Sequence, residues 1–445
     1  MGLRTVKSMS APVAPGRWPL LGHTFAMARQ RADFTTRLRQ HGEVVQVYLG
    51  PLRTYYIASP ELTHQLLVAH GPKLRKGRIF DKVRPFLGNG LAMVSGPEHL
   101  RQRRLLQPAF HRDRIAQYAT IMADAAAELI DSWTPGETRR IEADMQALAA
   151  TVVSRSLFST EISRDDIERL RQDLFLILDQ TMSRSLIPGF LSWLRASANR
   201  RFDAALARVH AFVMGFIADW RRHGEDRGDQ LSALLLAEDE DTGQRMSDQQ
   251  VYDEVVTLLT AGMETTARAL AWLFHELAEH PDIEAKVHAE VTEVLGDEKP
   301  AIEHVVRLNY TRQVVKETLR KYTTWILMRH TLQDIELGGY TIPAGSEVIF
   351  SPYSLHHDPE TFADPERFDP GRWEPDRMKA LPKGAFMTFG AGARQCIGNV
   401  FAETEIVIVL ATIAARHRLV PAGPVTSAFA SAPYPTSLPM TVQPR

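Results

Sequence analysis

The sequence predicts a mainly helical fold with a small β region, and three observations carry that prediction. Apolar residues recur three and four apart over long stretches, among them IMADAAAELIDSW (121–133), DDIERLRQDLFLILDQTM (165–182) and RFDAALARVHAFVMGFIADWRR (201–222). Residues Asp253 to His280 read as one long helix stopped by Pro281, with apolar side chains all round it, the pattern of a helix crossing a core. Strand-like runs are short and confined to two places. VVQVYLG (44–50) and TYYIAS (54–59) flank a proline-containing turn, and IELGGYTIPAGSEVIF (335–350) contains Gly-Gly and Pro-Ala-Gly turns. A last helix is predicted from about Val400 to Arg416, and the acidic stretches around 223–245 read as surface connections.

Composition narrows the function classes. The 445 residues are 44% hydrophobic and 24% charged with a formal net charge of -1, which is ordinary globular composition and gives no reason to expect nucleic acid. The most apolar run, Val255 to Met263, is about half the length that crosses a bilayer. The amino terminus lacks an uninterrupted apolar stretch, and Val6 stands where a myristoylation signal needs Ser or Thr. A cytoplasmic protein without a membrane anchor is expected, with a flexible segment at 1–17 and a single catalytic domain at 18–445. The chain has one cysteine, so neither an intramolecular disulfide nor a cysteine-ligated iron–sulfur cluster is possible. A lone cysteine is ordinarily a small buried hydrophobe.

Its context changes that reading. Cys396 sits in Phe389-Gly390-Ala391-Gly392-Ala393-Arg394-Gln395-Cys396-Ile397-Gly398. The three glycines permit a tight loop whose amides can point at the sulfur. The helix expected just after it presents a positive end that favours the thiolate. Arg394 supplies a cation for an acidic cofactor group.

This segment resembles the haem-binding loop of the cytochromes P-450, Phe-x-x-Gly-x-Arg-x-Cys-x-Gly, without departure. The resemblance implies that family's triangular fold, with haem b (iron protoporphyrin IX) between the long central helix and the cysteine-loop helix. It makes Cys396 the iron ligand, with Phe389, Gly390, Arg394 and Gly398 around the cofactor. A thiolate on haem iron favours O–O cleavage.

Two further motifs fit the same family. Ala261-Gly262-Met263-Glu264-Thr265-Thr266 lies in the middle of the long helix. An acid and a hydroxyl are expensive inside a core helix without a purpose. Ala261 and Gly262, one turn earlier, open a groove, and the family assigns the Glu264–Thr265 pair to oxygen activation. The bland alternative is a threonine bonding back to its preceding turn. Glu317 and Arg320, three apart, share a helix face and would ordinarily be a weak surface ion pair. The resemblance instead implies a buried structural pair joined by Arg367 of Pro365-Glu366-Arg367-Phe368, which locks the cysteine loop.

His99 and Arg103 share a helix face, and the resemblance makes them, with Arg394 and Arg329, ligands of the haem propionates. In place of the family's Pro-Pro step after Glu-x-x-Arg stands Tyr322-Thr323-Thr324, which puts the path of the next segment in question. By position in the family fold the pocket lining is Ile79, Phe80, Phe86, Leu87, Met93, Val94, Phe175, Ile177, Leu258, Ala261, Ile326, Leu327 and Leu438, nearly all apolar.

The implied reaction inserts one oxygen atom of O2, the co-substrate, into a C–H bond of a hydrophobic small molecule. Electrons would come from NAD(P)H through a separate ferredoxin reductase and ferredoxin, docking at Arg101, Arg104, Arg112 and Arg114 of a monomeric enzyme. Segments such as GRIFDKVRPFLGNGLAMVSGPEHLRQRRLLQPAFH resemble the bacterial terpene-oxidising branch, so the expected substrate is a cyclic sesquiterpene or other terpenoid. The alternatives are a fatty-acid hydroxylase or peroxygenase of the same fold, a non-enzymatic haem-thiolate sensor and, remotely, a cysteine hydrolase. Glu264-Thr265 stands where peroxygenases carry Arg-Pro.

Overall fold

The computed structural model describes residues 9–158, 162–185 and 196–445. The chain divides into two compact units. One comprises residues up to 78, Lys316–Cys396 and Ala428–Tyr434; the other comprises Ile79–Val315, Ile397–Ser427 and Pro435–Arg445.

The first unit is built on a five-stranded sheet in the order Val44–Leu49, Leu52–Ile57, Glu347–Phe350, Leu327–Thr331, Leu74–Lys76. Only the pairing of Leu52–Ile57 with Glu347–Phe350 is parallel. Ile335–Leu337 and Tyr340–Ile342 form a separate hairpin. Gly338 and Gly339 both take the positive φ that a two-residue hairpin turn requires. The sheet buries Val44, Tyr55, Ile57, Val348 and Phe350 on Leu66, Leu67 and Leu355. Residues 1–8 of the segment expected to be flexible lie outside the described residues. The remainder is held: Met9 N–H donates to Gly339 O at 3.0 Å, Ala14 N–H donates to Gln46 O at 2.9 Å, and Ala11 and Ala14 are buried.

The second unit is helical. The long helix runs Asp248–Glu279 and packs chiefly against Ile141–Phe158. It starts five residues before the sequence reading placed it, because Ser247 and Gln250 form a reciprocal capping box. Pro281 ends it and is the first residue of the next helix, Pro281–Leu295, where a missing N–H costs nothing. Arg164–Ser185, Ala196–His223 and Asn399–Arg416 contain three of the other predicted helices, and Arg112–Asp131 covers 121–133 except its last two residues. A core of Phe158, Leu174, Val213, Ile217, Val255 and Leu259 joins the helices Ile141–Phe158, Arg164–Ser185, Ala196–His223 and Asp248–Glu279. A three-stranded sheet, Thr138–Arg140, Pro439–Pro444, His417–Pro421, was not predicted.

Candidate active site

In the first unit the cysteine loop is fixed by its own backbone. Cys396 N–H donates to Phe389 O at 2.9 Å, Gln395 N–H to Gly392 O at 3.0 Å and Gly390 N–H to Met387 O at 2.9 Å. Gly390 and Gly392 have φ of 70° and 68°. A Cβ on Gly392 would lie 2.3 Å from Leu67 O, so no other residue fits there. Cys396 is exposed, which removes the buried-hydrophobe reading and makes its thiol a reachable ligand.

The scaffold behind this loop is a relay of buried hydrogen bonds. Arg320 grips Glu317 through two bonds of 2.9 Å and donates to His356 O at 2.8 Å and Pro365 O at 2.7 Å. Trp373 Nε1 and the Asp369 N–H also donate to the Glu317 carboxylate, each at 3.0 Å. The second arginine on Glu317 is Arg372, at 3.2 Å, not Arg367. Arg367 is exposed and offers its carbonyl oxygen to Arg372 instead. The expected assignment of Arg367 is therefore corrected: the chain makes a turn after Phe368, and the residue that turn aims inward is four positions on. His356 continues the relay, with Nδ1 on Arg320 O at 2.9 Å and Nε2 accepting from Met387 N–H at 2.8 Å, two residues before Phe389. That arrangement requires a neutral ring, and burial pushes its pKa down to about 3.

The absent Pro-Pro step does not derail the following segment. Trp325 donates from its backbone to Ser431 O at 2.8 Å and from Nε1 to Thr35 Oγ1 at 3.0 Å, and Thr324 O accepts from Tyr353 N–H at 3.0 Å. Ile326 and Leu327 are partly buried beside it.

Arg329 is buried on the strand Leu327–Thr331, directly opposite Lys76 in the antiparallel register. Like charges in that position repel. Burial, together with Arg394, holds the Arg329 guanidinium down at about 10. Burial, then Arg329 and Arg394, pushes Lys76 down to about 7. Three cations gathered in this way suit a doubly anionic group such as a pair of propionates, and Lys76 was not among the expected residues. Its signal was the cross-strand partner of Arg329, invisible until the register was known.

In the second unit the long helix is buried or half-buried from Val251 to Ala278 except at Ala261 and Thr265, which are exposed one turn apart on one face. Thr265 Oγ1 donates to Ala261 O at 2.7 Å, so the bland bond to the preceding turn is present. Glu264 is ion-paired with Arg268. Gly262 does not open the groove assigned to it: a Cβ there would meet Val153 Cγ2 at 2.8 Å, so this glycine serves helix packing. Behind the exposed face Thr266 bonds to buried Glu405, whose burial holds the carboxyl well above the ordinary range.

The candidate pocket residues of this unit are only partly gathered. Phe86, Leu87, Ile177 and Leu258 share one apolar cluster. Met93 and Val94 are buried, Ile79 is exposed, and Phe175 lies against the Arg171 guanidinium. Leu438 is placed elsewhere: it is fully buried at the head of Ile141–Phe158, with its backbone bonded to Glu142 and Ile141. The segment before His99 is fastened by two acids that the sequence reading passed over. Asp253 accepts from Asn89 N–H at 2.7 Å and Glu254 from Leu91 N–H at 2.8 Å. A Cβ on Gly88 would lie 2.2 Å from Asp253 Oδ1, and one on Gly90 2.2 Å from Thr257 Oγ1. Burial pushes Glu254 up to about 8.

His99 is buried and Arg103 half-buried on the helix Gly96–Leu106. Three of the four arginines expected to dock a redox partner hold acids of the same unit: Arg101 with Asp239 at 3.0 Å, Arg104 with Asp241 at 2.9 Å and Arg114 with Asp226 at 2.7 Å. A partner would have to compete with those acids.

A helix-rich fold with an exposed cysteine in a glycine-framed loop defines a class, and the known proteins agree on which. The crystal structure titled cytochrome P450DA heme domain superposes with a TM-score of 0.88 over 98% of both chains at 28% identity. Cyclooctat-9-en-7-ol 5-monooxygenase of Streptomyces melanosporofaciens is 46% identical over 92% of this chain and 89% of its own. Pentalenene oxygenase of Streptomyces avermitilis is 36% identical over 92% and 91%. The family model for cytochrome P450 matches residues 12–428. The chain belongs to the cytochrome P450 family, and it is a monooxygenase of that family. Membership implies haem and O2. Among the described residues no helix is long and apolar enough to cross a membrane.

Proposed function

We propose that this monooxygenase inserts one oxygen atom of O2 into a C–H bond of a cyclic terpenoid, either a hydrocarbon or a ring system already bearing one hydroxyl. The observation that carries the reading is the exposed Ala261–Thr265 face in the middle of an otherwise buried helix. An exposed hydroxyl next to a carboxylate at that place suits delivery of protons to a reacting oxygen. The relatives named for cyclooctat-9-en-7-ol and for pentalenene support the substrate class.

Haem, when bound, supplies the oxidising power and the site at which O2 is reduced. The residues of the first unit fit it: Cys396 would offer an accessible thiol to the iron, and Arg329, Arg394 and Lys76 would offer positive charge to its carboxylates. The roles of this chain's own side chains follow. Thr265 would hold a proton at Oγ1, where the hydroxyl now donates to Ala261 O, and would supply it for the reduction of O2. Glu264 replaces the proton, its charge balanced by Arg268. Phe86, Leu87, Ile177 and Leu258 bind hydrocarbon surface and exclude water. Electrons arrive from NAD(P)H by way of a ferredoxin reductase and a ferredoxin, and the enzyme works as a cytoplasmic monomer.

The test is a titration of the ferric spectrum with cyclic terpenoid hydrocarbons, their mono-alcohols and medium-chain fatty acids. A low-spin to high-spin shift with the terpenoids and none with the fatty acids supports the assignment. A shift with fatty acids alone overturns the substrate class and leaves the monooxygenase intact.

A further inference from the structure

Fourteen large apolar side chains stand out exposed among the described residues, and four of them fall between positions 18 and 25. Beyond Val13 and Met9 just upstream, the others are scattered singly along the chain. Scattered cases are normal, but a cluster needs a reason. Trp18 and Gly22 close a tight turn through two backbone bonds of 2.9 Å, with Leu20 at its tip. Leu20 is 91% exposed, Trp18 60%, Phe25 56% and Leu21 53%. The rings of Trp18 and Phe25 lie 6.3 Å apart.

The tip is closely seated and strained. Gly22 is seated so closely on Tyr48 that a Cβ would lie 2.3 Å from its carbonyl oxygen. Leu20 adopts φ 63°, a left-handed conformation that leucine rarely takes. A strained backbone that holds a leucine out into water gains nothing for the fold of the first unit.

The segment that bears the tip is rich in arginine, and its first acid is the exposed Asp33 beyond it. From Met9 to Ala32 the chain carries Arg17, Arg29 and Arg31 and no acid, although the whole protein has a formal net charge of -1. Arg17 lies over the Tyr48 ring at 3.7 Å, and Arg29 is exposed. Apolar side chains including a tryptophan, rimmed by arginines, match the boundary between headgroups and acyl chains of an anionic bilayer.

We propose that the Trp18–Phe25 tip is a wedge by which this protein docks peripherally on anionic phospholipid membranes. Leu20 and Leu21 enter the acyl boundary, Trp18 and Phe25 lie at the headgroup level, and Arg17 and Arg29 meet lipid phosphates, while Arg31 is held by Phe429 O. Docking of this kind would place the enzyme where apolar molecules accumulate, and it does not depend on which substrate the pocket takes.

The experiment is sedimentation of the haem-loaded full-length protein with vesicles of phosphatidylglycerol mixed with phosphatidylcholine, and with vesicles of phosphatidylcholine alone. The proposal expects binding to the anionic vesicles that weakens with added salt. Leu20→Asp should reduce the vesicle partition by about tenfold or more, since a leucine that enters the acyl boundary is replaced by a charge. Aspartate tolerates the left-handed region better than leucine, so this variant should keep or raise the thermal midpoint. Arg29→Glu should remove the preference for anionic lipid, and deletion of residues 1–8 should leave binding in place. Absence of binding to either vesicle, or binding indifferent to Leu20→Asp, overturns the proposal. So does loss of binding on deleting residues 1–8. Self-association abolished by Leu20→Asp would assign the tip to a second copy of the chain and overturn it as well.

Discussion

Glu317 and Arg320 lie three residues apart on one helix with neither side chain exposed, joined by two parallel hydrogen bonds of 2.9 Å. A buried ion pair persists only when its remaining lone pairs and protons are met, and here Arg372, Trp373, the Asp369 N–H and two backbone carbonyls meet them. The geometry ranks two arginines that the sequence alone could not. Arg372→Ala removes an ion partner of a buried carboxylate and should cost about 3 kcal/mol or more. Arg367→Ala removes an exposed side chain and should stay within about 0.5 kcal/mol. Denaturant midpoints of the two variants check this directly, and equal losses would return the role to Arg367.

The neutral His356 that links Arg320 to Met387 gives the cysteine-loop scaffold an acid limit. Its folded pKa is pushed down to about 3 from 6.5. Between those values the unfolded chain binds a proton that the folded chain does not. The contribution is therefore complete above the unfolded value and is lost as pH falls toward about 3. His357, pushed down by burial to about 4, adds in the same direction. The expected result is a stability that falls steadily with acid over that window, with a shallower slope in His356→Gln. An unchanged slope would mean that other groups set the limit.

Lys76 acts in the opposite pH range. Before an anion is bound, its folded pKa of about 7 lies below the ordinary 10.5, so stability of the haem-free protein should rise with pH across that interval. Bringing carboxylates to Lys76, Arg329 and Arg394 should restore the lysine's charge, so haem uptake near pH 8 should be accompanied by proton uptake. Calorimetry in buffers of differing ionisation enthalpy measures that proton. Lys76→Met should abolish both the slope and the uptake; a variant indistinguishable from wild type would separate Lys76 from the cofactor.

Thr265 and Glu264 predict a defect in coupling. Thr265→Ala should let electrons be consumed with little product and more peroxide released, and Thr265→Ser should restore much of the yield. Glu264→Gln should slow turnover, by a factor within the general acid–base range of about 10²–10⁴ at most. Product formed per NAD(P)H consumed is the measurement, and unchanged coupling in Thr265→Ala would remove the threonine from proton delivery.

Much of this was legible in the sequence. The long helix, the cysteine loop and the Gly338-Gly339 hairpin carry local signals: period, glycine spacing and turn chemistry. What escaped depends on contacts distant in sequence. Strands of three residues such as Leu74–Lys76 and Thr138–Arg140 have no period to detect. Lys76 matters because of its register with Arg329, Arg372 because of a turn, and Asp253 with Glu254 because a loop far upstream lends them its N–H groups. Gly262 shows the converse, since its motif position suggested a groove and its neighbour Val153 closes it.

A thiolate of Cys396 on haem iron has a spectroscopic signature of its own. The purified protein, reduced and exposed to carbon monoxide, should show the long-wavelength Soret band of a thiolate-ligated ferrous carbonyl, and Cys396→Ser should lose that band. A wild-type protein that binds haem without that band, or a Cys396→Ser variant that keeps it, would mean that Cys396 is not the iron ligand.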